Sequence, residues 1–120
     1  STTDYNGIYK GKYVDFEAKE TNSLTSFPLN NIHKHQIIHL NNIARHGGIA
    51  FIIVRFTMLN ETYLLFQSDV QHFLDTQKRK SIPLGYFKEC GYLLKDKFNP
   101  RVDYLEILDK VGGIINGKKN

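Results

Sequence analysis

Cysteine and long apolar runs are scarce in this sequence, and each scarcity excludes a class of protein. Cys90 is the single cysteine, which excludes an internal disulfide and any zinc site made of several cysteines. No apolar run reaches the roughly 18–20 residues that a membrane-spanning helix needs. No signal-peptide pattern opens the sequence. These absences predict a cytoplasmic protein that does not bind membranes.

The size and composition are those of one small folded domain. The chain has 120 residues, of which 41% are hydrophobic and 23% are charged, so we predict a single domain over residues 1–120. The formal net charge is +4 and the pI is about 9.2. This excess weakly favours a polyanionic partner such as nucleic acid. The basic segments 77–80 and 95–101 are either solvated surface or contacts for phosphates.

The first and last residues of the sequence each predict a feature of the chain. The chain opens with "STTDY", and its only methionine is Met58, so we expect a piece of a longer protein. The polar residues 116–120, "NGKKN", predict a frayed tail.

Residues 1–19 have the pattern of a β-hairpin. Aromatic and β-branched residues on both sides of Lys10-Gly11 favour strands, and that dipeptide suits a two-residue turn. Asn6-Gly7 is the stronger turn dipeptide, but a turn there would leave the first strand only a few residues long. Counting outward from Lys10-Gly11 pairs Asp4 with Glu17.

A helix is predicted over residues 31–46, after a polar loop at 20–29. Asn30 or Asn31 can cap its start, and Gly47-Gly48 ends it.

Two strands and three further helices complete the predicted fold. The nearly continuous apolar run at 48–56 is typical of a strand buried on both faces, and 61–66 is typical of a second strand. Helices are predicted at 68–78, 83–90 and 103–112. A strand, a helix and a buried strand in that order form a right-handed crossover. The predicted fold class is therefore α/β, with a mixed β-sheet and flanking helices.

Charged side chains converge on the predicted hairpin. In its register Asp4 faces Glu17, and Thr2 faces Lys19 on the same side of the sheet. Facing carboxylates repel each other, and a bridging Mg²⁺ or Mn²⁺ would remove that repulsion. Lys19 would then stabilise negative charge on a phosphate or orient the attacking water. The alternative is a solvated face on which Lys19 screens Glu17.

Gln36 lies on the apolar stripe of the predicted 31–46 helix, beside Ile32, Leu40 and Ile43. A buried amide needs polar partners, and the crossover brings this helix over the hairpin. We therefore expect Gln36 to reach the carboxylates or their metal ion. The alternative is a buried amide that is satisfied without a metal.

The segment 33–39, "HKHQIIH", places His35 and His39 four residues apart, as in the H-E-x-x-H motif of zinc proteases. Gln36 occupies the position of the glutamate base, and an amide cannot take a proton from water. We therefore expect no zinc protease chemistry from this segment.

The order Asp, turn, Glu-x-Lys and then Gln on the next helix resembles the active site of PD-(D/E)xK nucleases. That motif is short, but longer stretches resemble the RecU family of bacterial Holliday junction resolvases over nearly the whole chain. They are "STTDYNGIYKGKYVDFEAKET", "TSFPLNNIHKHQIIHL", "KSIPLGYF" and "NPRVDYL".

The resemblance implies a restriction-endonuclease-like core and a homodimeric endonuclease that cuts four-way DNA junctions in recombination and repair. It implies Mg²⁺ as the cofactor, with Mn²⁺ as a substitute, and Thr2, Asp4, Glu17 and Gln36 as the metal ligands. Asp4, Glu17 and Lys19 are the implied catalytic residues, with Lys19 stabilising the transition state. Implied partners are four-way junction DNA and recombination proteins such as RecA or the branch-migration machinery.

Two rival functions stay open on the sequence. One is a non-catalytic DNA-binding module on the same fold, although a degenerate copy is expected to have lost part of the Asp4, Glu17 and Lys19 set. The other is a PD-(D/E)xK nuclease that acts on other DNA. RecU proteins also have an N-terminal region with a further active-site glutamate and a stalk, and we expect this chain to lack both.

Overall fold

The computed structural model describes residues 5–94, 99 and 103–117. Its strands are β1 (Tyr5–Tyr9), β2 (Lys12–Thr21), β3 (Ser26–Pro28), β4 (Ile49–Phe56), β5 (Glu61–Phe66), β6 (Ser81–Pro83) and β7 (Tyr92–Leu94). Its α-helices are α1 (Lys34–Arg45), α2 (Gln67–Thr76), α3 (Leu84–Cys90) and α4 (Tyr104–Gly117). Within the described ranges, every helix is too short or too polar to cross a membrane.

A mixed five-stranded sheet contains β1, β2, β4, β5 and β7 in that spatial order. β2 and β4 are parallel, and the other neighbouring strands are antiparallel. α1 connects β2 to β4, as the crossover predicts. The predicted α/β class, with a mixed sheet and flanking helices, is confirmed. β3 and β6 form a separate two-stranded sheet.

Two apolar layers cover the two faces of the large sheet. One layer joins Ile52 and Val54 of β4 to apolar side chains of α1, α2 and α3. The other joins Phe16 of β2 and Phe51 of β4 to α4. β4 is therefore buried on both faces, as predicted, with only Arg55 partly exposed along its length. Because side chains alternate along a strand, the odd-numbered residues of β2 face α1.

The turn between β1 and β2 is the one that the sequence predicts. Lys10 and Gly11 have φ angles of 49° and 81°, and two positive φ angles are typical of a type I′ turn that suits twisted strands. Tyr5 pairs with Phe16 across the two strands. This is the register on which the predicted pairing of Asp4 with Glu17 depends, and Asp4 itself lies outside the described residues.

The start of α1 differs from the prediction. Its N-cap is His33 rather than Asn30 or Asn31, because the preceding residues are held by the small sheet. Leu29–Asn31 form a 3₁₀ turn, and the N–H of Leu29 donates to the carbonyl of Lys80, 2.9 Å away, next to the paired strands β3 and β6. The helix therefore begins only after the chain leaves this contact.

Three short strands were not predicted from the sequence. β3, β6 and β7 have three residues each, which is too short for a recognisable alternation. Two of them end in proline, a residue that disfavours interior strands. They form because tertiary contacts bring their partners alongside.

The last helix is longer than predicted. α4 extends to Gly117, beyond the predicted end at 112 and into the segment 116–120 that the sequence predicts to fray. Val111 and Ile115 pack on the same apolar layer, and their burial outweighs the low helix propensity of the glycines between them. The last three residues of the chain lie outside the described part.

The end of α3 yields a stability prediction. A Cβ atom added to Gly91 would lie 2.6 Å from the carbonyl oxygen of Phe87 and 2.8 Å from that of Leu64. Because backbone atoms cannot move aside cheaply, Gly91→Ala should lower the free energy of unfolding by about 1–3 kcal/mol. Gly85→Ala is the control, since no atom lies within 4 Å of its added Cβ. Equal urea midpoints for the two variants would contradict this packing of α3 on β5.

Candidate active site

β2 places two acidic side chains, Asp15 and Glu17, beneath α1. Both are 0% exposed, and their neighbours across the parallel pairing are the apolar residues Ala50 and Ile52 of β4. An ionised carboxylate in such surroundings is strongly destabilising unless hydrogen-bond donors or positive charges accompany it. Side chains of α1 contact both carboxylates. Polar side chains of α1 and β2 therefore meet inside the protein, beneath the helix.

Gln36 makes the first of these contacts, as expected. Its side chain is 8% exposed, and its Nε2 donates to Oε1 of Glu17 over 2.8 Å. Its Oε1 accepts from the backbone N–H of His33 over 2.9 Å, in the first turn of α1. The two bonds fix the amide with its nitrogen towards the carboxylate. A cation would be bound through Oε1, so metal ligation by Gln36 requires this amide to turn.

Lys19 makes the second contact with Glu17. Its Nζ lies 3.6 Å from Oε1 of Glu17, and its side chain is 21% exposed. On the face of β2 that lies against α1, exposure rises from fully buried at Glu17 to partly exposed at Lys19. The alternative of a solvated face is therefore wrong for Glu17. Lys19 screens that carboxylate and stands at the point where the strand reaches solvent.

A second polar contact, between Asp15 and His39, was not predicted from the sequence. Nε2 of His39 lies 3.0 Å from Oδ2 of Asp15. The available signal was the spacing of Gln36 and His39, since residues three apart lie on one face of a helix. Tyr13 lies on the same side of β2. Partial burial, then the charge of Asp15 and a hydrogen bond to it, raise the pKa of the Tyr13 hydroxyl.

Only part of the predicted metal site lies in the described residues. Thr2 and Asp4 are outside them, whereas Glu17 and Gln36 are inside and in contact. A carboxylate and an amide oxygen are ligand types that suit Mg²⁺. Over the described ranges, no three side chains of His, Cys, Asp and Glu form a group able to hold a metal ion.

Comparison with known proteins identifies the family. A family model described as recombination protein U matches residues 1–110. This chain belongs to that family. It is similar to proteins named Holliday junction resolvase RecU: 52% identical to that of Geobacillus sp. (strain WCH70), 51% to that of Pediococcus pentosaceus and 54% to that of Bacillus cytotoxicus, each over 114 residues. The expected resemblance to the RecU family is thereby confirmed.

The alignments cover most of this chain but a smaller part of each relative. Each of these three alignments includes 92% of this chain but 57% of the relative. The chain thus spans little more than half the length of the curated relatives that it matches. The residues of β2 and α1 that form the site all fall inside the stretch matched by the family model.

The contact between Gln36 and Glu17 predicts a measurable coupling. Gln36→Leu should lower the free energy of unfolding by about 1.5–3 kcal/mol in metal-free buffer, because it removes a donor from a buried carboxylate. In a Glu17→Leu background the same change should cost much less, since there is no carboxylate to satisfy. A double-mutant cycle from urea titrations measures the difference. Additive effects would show that the two side chains do not interact.

Proposed function

We propose that this chain is the catalytic core of a Mg²⁺-dependent endonuclease that cuts four-way DNA junctions during recombination and repair. The observation that carries this proposal is the buried Glu17, held by Gln36 at 2.8 Å and by Lys19 at 3.6 Å. Membership of the recombination protein U family supports the same chemistry, and relatives named as Holliday junction resolvases support the junction as the substrate.

The proposed metal ligands are Thr2, Asp4, Glu17 and Gln36. When bound there, Mg²⁺ would polarise the phosphate and lower the pKa of a water molecule. Glu17 is suited to hold the ion because burial on β2 and the bond from Gln36 fix its carboxylate. Its negative charge in apolar surroundings is also expected to favour binding of a cation.

Lys19 has the position required of a group that acts on the phosphate. Its ammonium lies beside Glu17 but is partly exposed, so it can contact a backbone entering from solvent. There it would stabilise the negative charge that develops on the phosphate as the P–O bond breaks. Asp4, Glu17 and Lys19 are therefore the proposed catalytic residues.

A basic surface next to the site supports DNA as the ligand. The side chains of Lys78, Arg79 and Lys80 are all exposed. The backbone bond between Leu29 and Lys80, 2.9 Å long, places this segment shortly before the N-terminus of α1, where Lys34 is also exposed. Exposed cations near the start of α1 can bind phosphates of a DNA backbone. The other basic segment, 95–101, falls almost wholly outside the described residues.

The wider biology is part of the same proposal. A homodimer would bring two such sites to one four-way junction and allow symmetric cuts. Four-way junctions arise in recombination, so RecA and the branch-migration machinery are proposed as partners and the cytoplasm as the location. A nuclease for other DNA, or a non-catalytic DNA-binding module, is the alternative outcome of the tests below.

The carboxylates yield the first test of function. Asp4→Ala and Glu17→Ala should abolish junction cleavage in Mg²⁺ and preserve DNA binding, because each removes negative charge together with a metal ligand. Glu20→Ala is the matched control, since Glu20 is an exposed carboxylate of the same strand and should cleave at the parent rate. Cleavage of labelled junction, duplex and single-stranded DNA on gels measures the effect.

The same assay separates the rival functions. Cleavage should disappear in excess chelator, return with Mg²⁺ or Mn²⁺, and fail with Ca²⁺, whose looser coordination misplaces the water and the phosphate. Cleavage of duplex as fast as junction would favour a nuclease for other DNA. Binding without cleavage under every metal, with Glu17→Ala behaving like the parent, would favour a DNA-binding module.

The basic segment yields a test of the DNA surface. Lys78→Ala with Arg79→Ala should reduce the slope of log affinity against log salt by about two, since each phosphate contact contributes about 0.9 to the slope on duplex DNA. Lys12→Ala with Lys110→Ala is the control, because it removes two exposed cations from the opposite side of the sheet. Fluorescence anisotropy at several salt concentrations measures both slopes. Equal losses would place the DNA elsewhere.

A further inference from the structure

The pair formed by Asp15 and His39 lies beside the candidate active site and has no part in the proposed chemistry. We propose that Asp15 and His39 are positioning residues, which fix α1 on β2 so that Gln36 reaches Glu17 and the metal that Glu17 would hold. This inference rests on the proposed function and concerns how its site is assembled.

Stability alone does not account for this pair. Asp15 is 0% exposed, whereas the side chain of His39 is 33% exposed. A buried carboxylate is costly even when it has a partner, and apolar side chains of similar volume at such a position often leave a protein equally or more stable. An apolar pair would also match Ala50, which lies beside Asp15 in the sheet. A directional contact at this position therefore indicates a requirement for geometry.

The geometry of the two contacts shows what is fixed. Asp15 and Glu17 are two residues apart on β2, about 6–7 Å along the strand. Gln36 and His39 are three residues apart on α1, which places them on one face of the helix. Gln36 contacts Glu17 and His39 contacts Asp15, so the helix and the strand run in opposite directions. Apolar side chains hold α1 against the sheet without directional contacts. The two polar contacts together fix the rotation of α1 and its position along β2.

The carboxylate of Asp15 is well held for this role. A carboxylate can only accept, so the proton in the contact with His39 lies on Nε2. Tyr13 lies two residues before Asp15, on the same side of β2. The donor on the helix thus sets the direction in which Asp15 faces α1.

Loss of the contact between Asp15 and His39 would affect the position of Gln36. With only Gln36 in contact with these carboxylates, the part of α1 near Gln36 would be less restrained on β2, and the amide would be less fixed beside Glu17. Outer residues that orient metal ligands typically change metal affinity by about 10–100-fold when they are replaced. We therefore expect Asp15 and His39 to affect metal binding without touching the metal.

The experiment compares apolar and conservative replacements at both positions. Asp15→Leu and His39→Leu remove the contact, whereas Asp15→Asn keeps an acceptor and His39→Gln keeps a donor. Asn41→Ala is the control, since it breaks polar contacts of α1 with Gln71 and Gln67 on α2 and should lower stability without affecting the site. Titration calorimetry with Mn²⁺ measures metal affinity. Amide exchange of the Gln36 side chain, followed by NMR without metal, reports its bond to Glu17.

We expect the leucine variants to differ from the conservative variants in both measurements. The two leucine variants should lose about 10–100-fold in Mn²⁺ affinity and show faster exchange of the Gln36 amide. Asp15→Asn, His39→Gln and the Asn41→Ala control should stay close to the parent in both measurements. Because exchange is measured without metal, a variant with altered stability but an intact site is still recognised.

Two results would overturn the inference. Leucine variants that match the parent in Mn²⁺ affinity and in Gln36 exchange would show that the pair does not position the site. Equal losses in Asp15→Asn and Asp15→Leu would assign the effect to the charge of Asp15 rather than to its contact with His39. Failure of the proposed function differs from both, because the parent chain itself would then not bind Mn²⁺ through Glu17.

Discussion

Two carboxylates buried on one strand set the main constraint on this molecule. Asp15 and Glu17 are fully enclosed, and enclosure of two negative charges about 6–7 Å apart is unfavourable unless each has a partner. α1 supplies one partner to each, and Lys19 supplies a third contact. The helix must therefore lie on β2 in one register. The parallel pairing of β2 with β4 and the crossover through α1 are the topology that allows this placement.

The apolar packing of β2 and β4 explains why the protein tolerates two buried carboxylates. β4 is apolar on both faces and pairs with β2 along most of its length. On the α4 side, β2 contributes Val14 and Phe16 to an apolar layer, and the ring of Phe16 stacks on Phe51 at 4.8 Å. The favourable burial on that face offsets the unfavourable charges on the other. The strand can thus carry polar chemistry on one side without losing its place in the sheet.

Much of this arrangement could be predicted from the sequence because it depends on local patterns. The turn at Lys10-Gly11, the continuous apolar run of β4 and the helical stripe through Gln36 each follow from residues close together in the chain. The contact of Gln36 with Glu17 then follows from the crossover rule. The start of α1 could not be predicted in the same way. His33 replaces the expected asparagine caps because β3 and β6, which are distant in sequence, hold the residues before it.

The contact of Asp15 with His39 was not predicted for a related reason. In the sequence it is one of several alternating charges, and alternation predicts only which face a side chain occupies. Its partner His39 stands in a segment that resembles a zinc motif, and that motif pairs His39 with His35 rather than with a carboxylate of β2. Only the opposite directions of α1 and β2 pair His39 with Asp15 and Gln36 with Glu17. Such pairings become predictable once the direction of a crossover helix over its strand is taken into account.

The position of the site along β2 reconciles two opposing needs of the proposed reaction. A carboxylate that binds a cation tightly benefits from apolar surroundings, where charges interact strongly, whereas DNA can reach only the surface. β2 meets both needs on one face, because Glu17 is fully buried and Lys19, two residues further along, is partly exposed. Glu17 is the last fully buried residue before this change, and Lys19 is the first charged one that solvent can reach. The basic segment at 78–80 lies beside the start of α1, on the side where a phosphate backbone would enter.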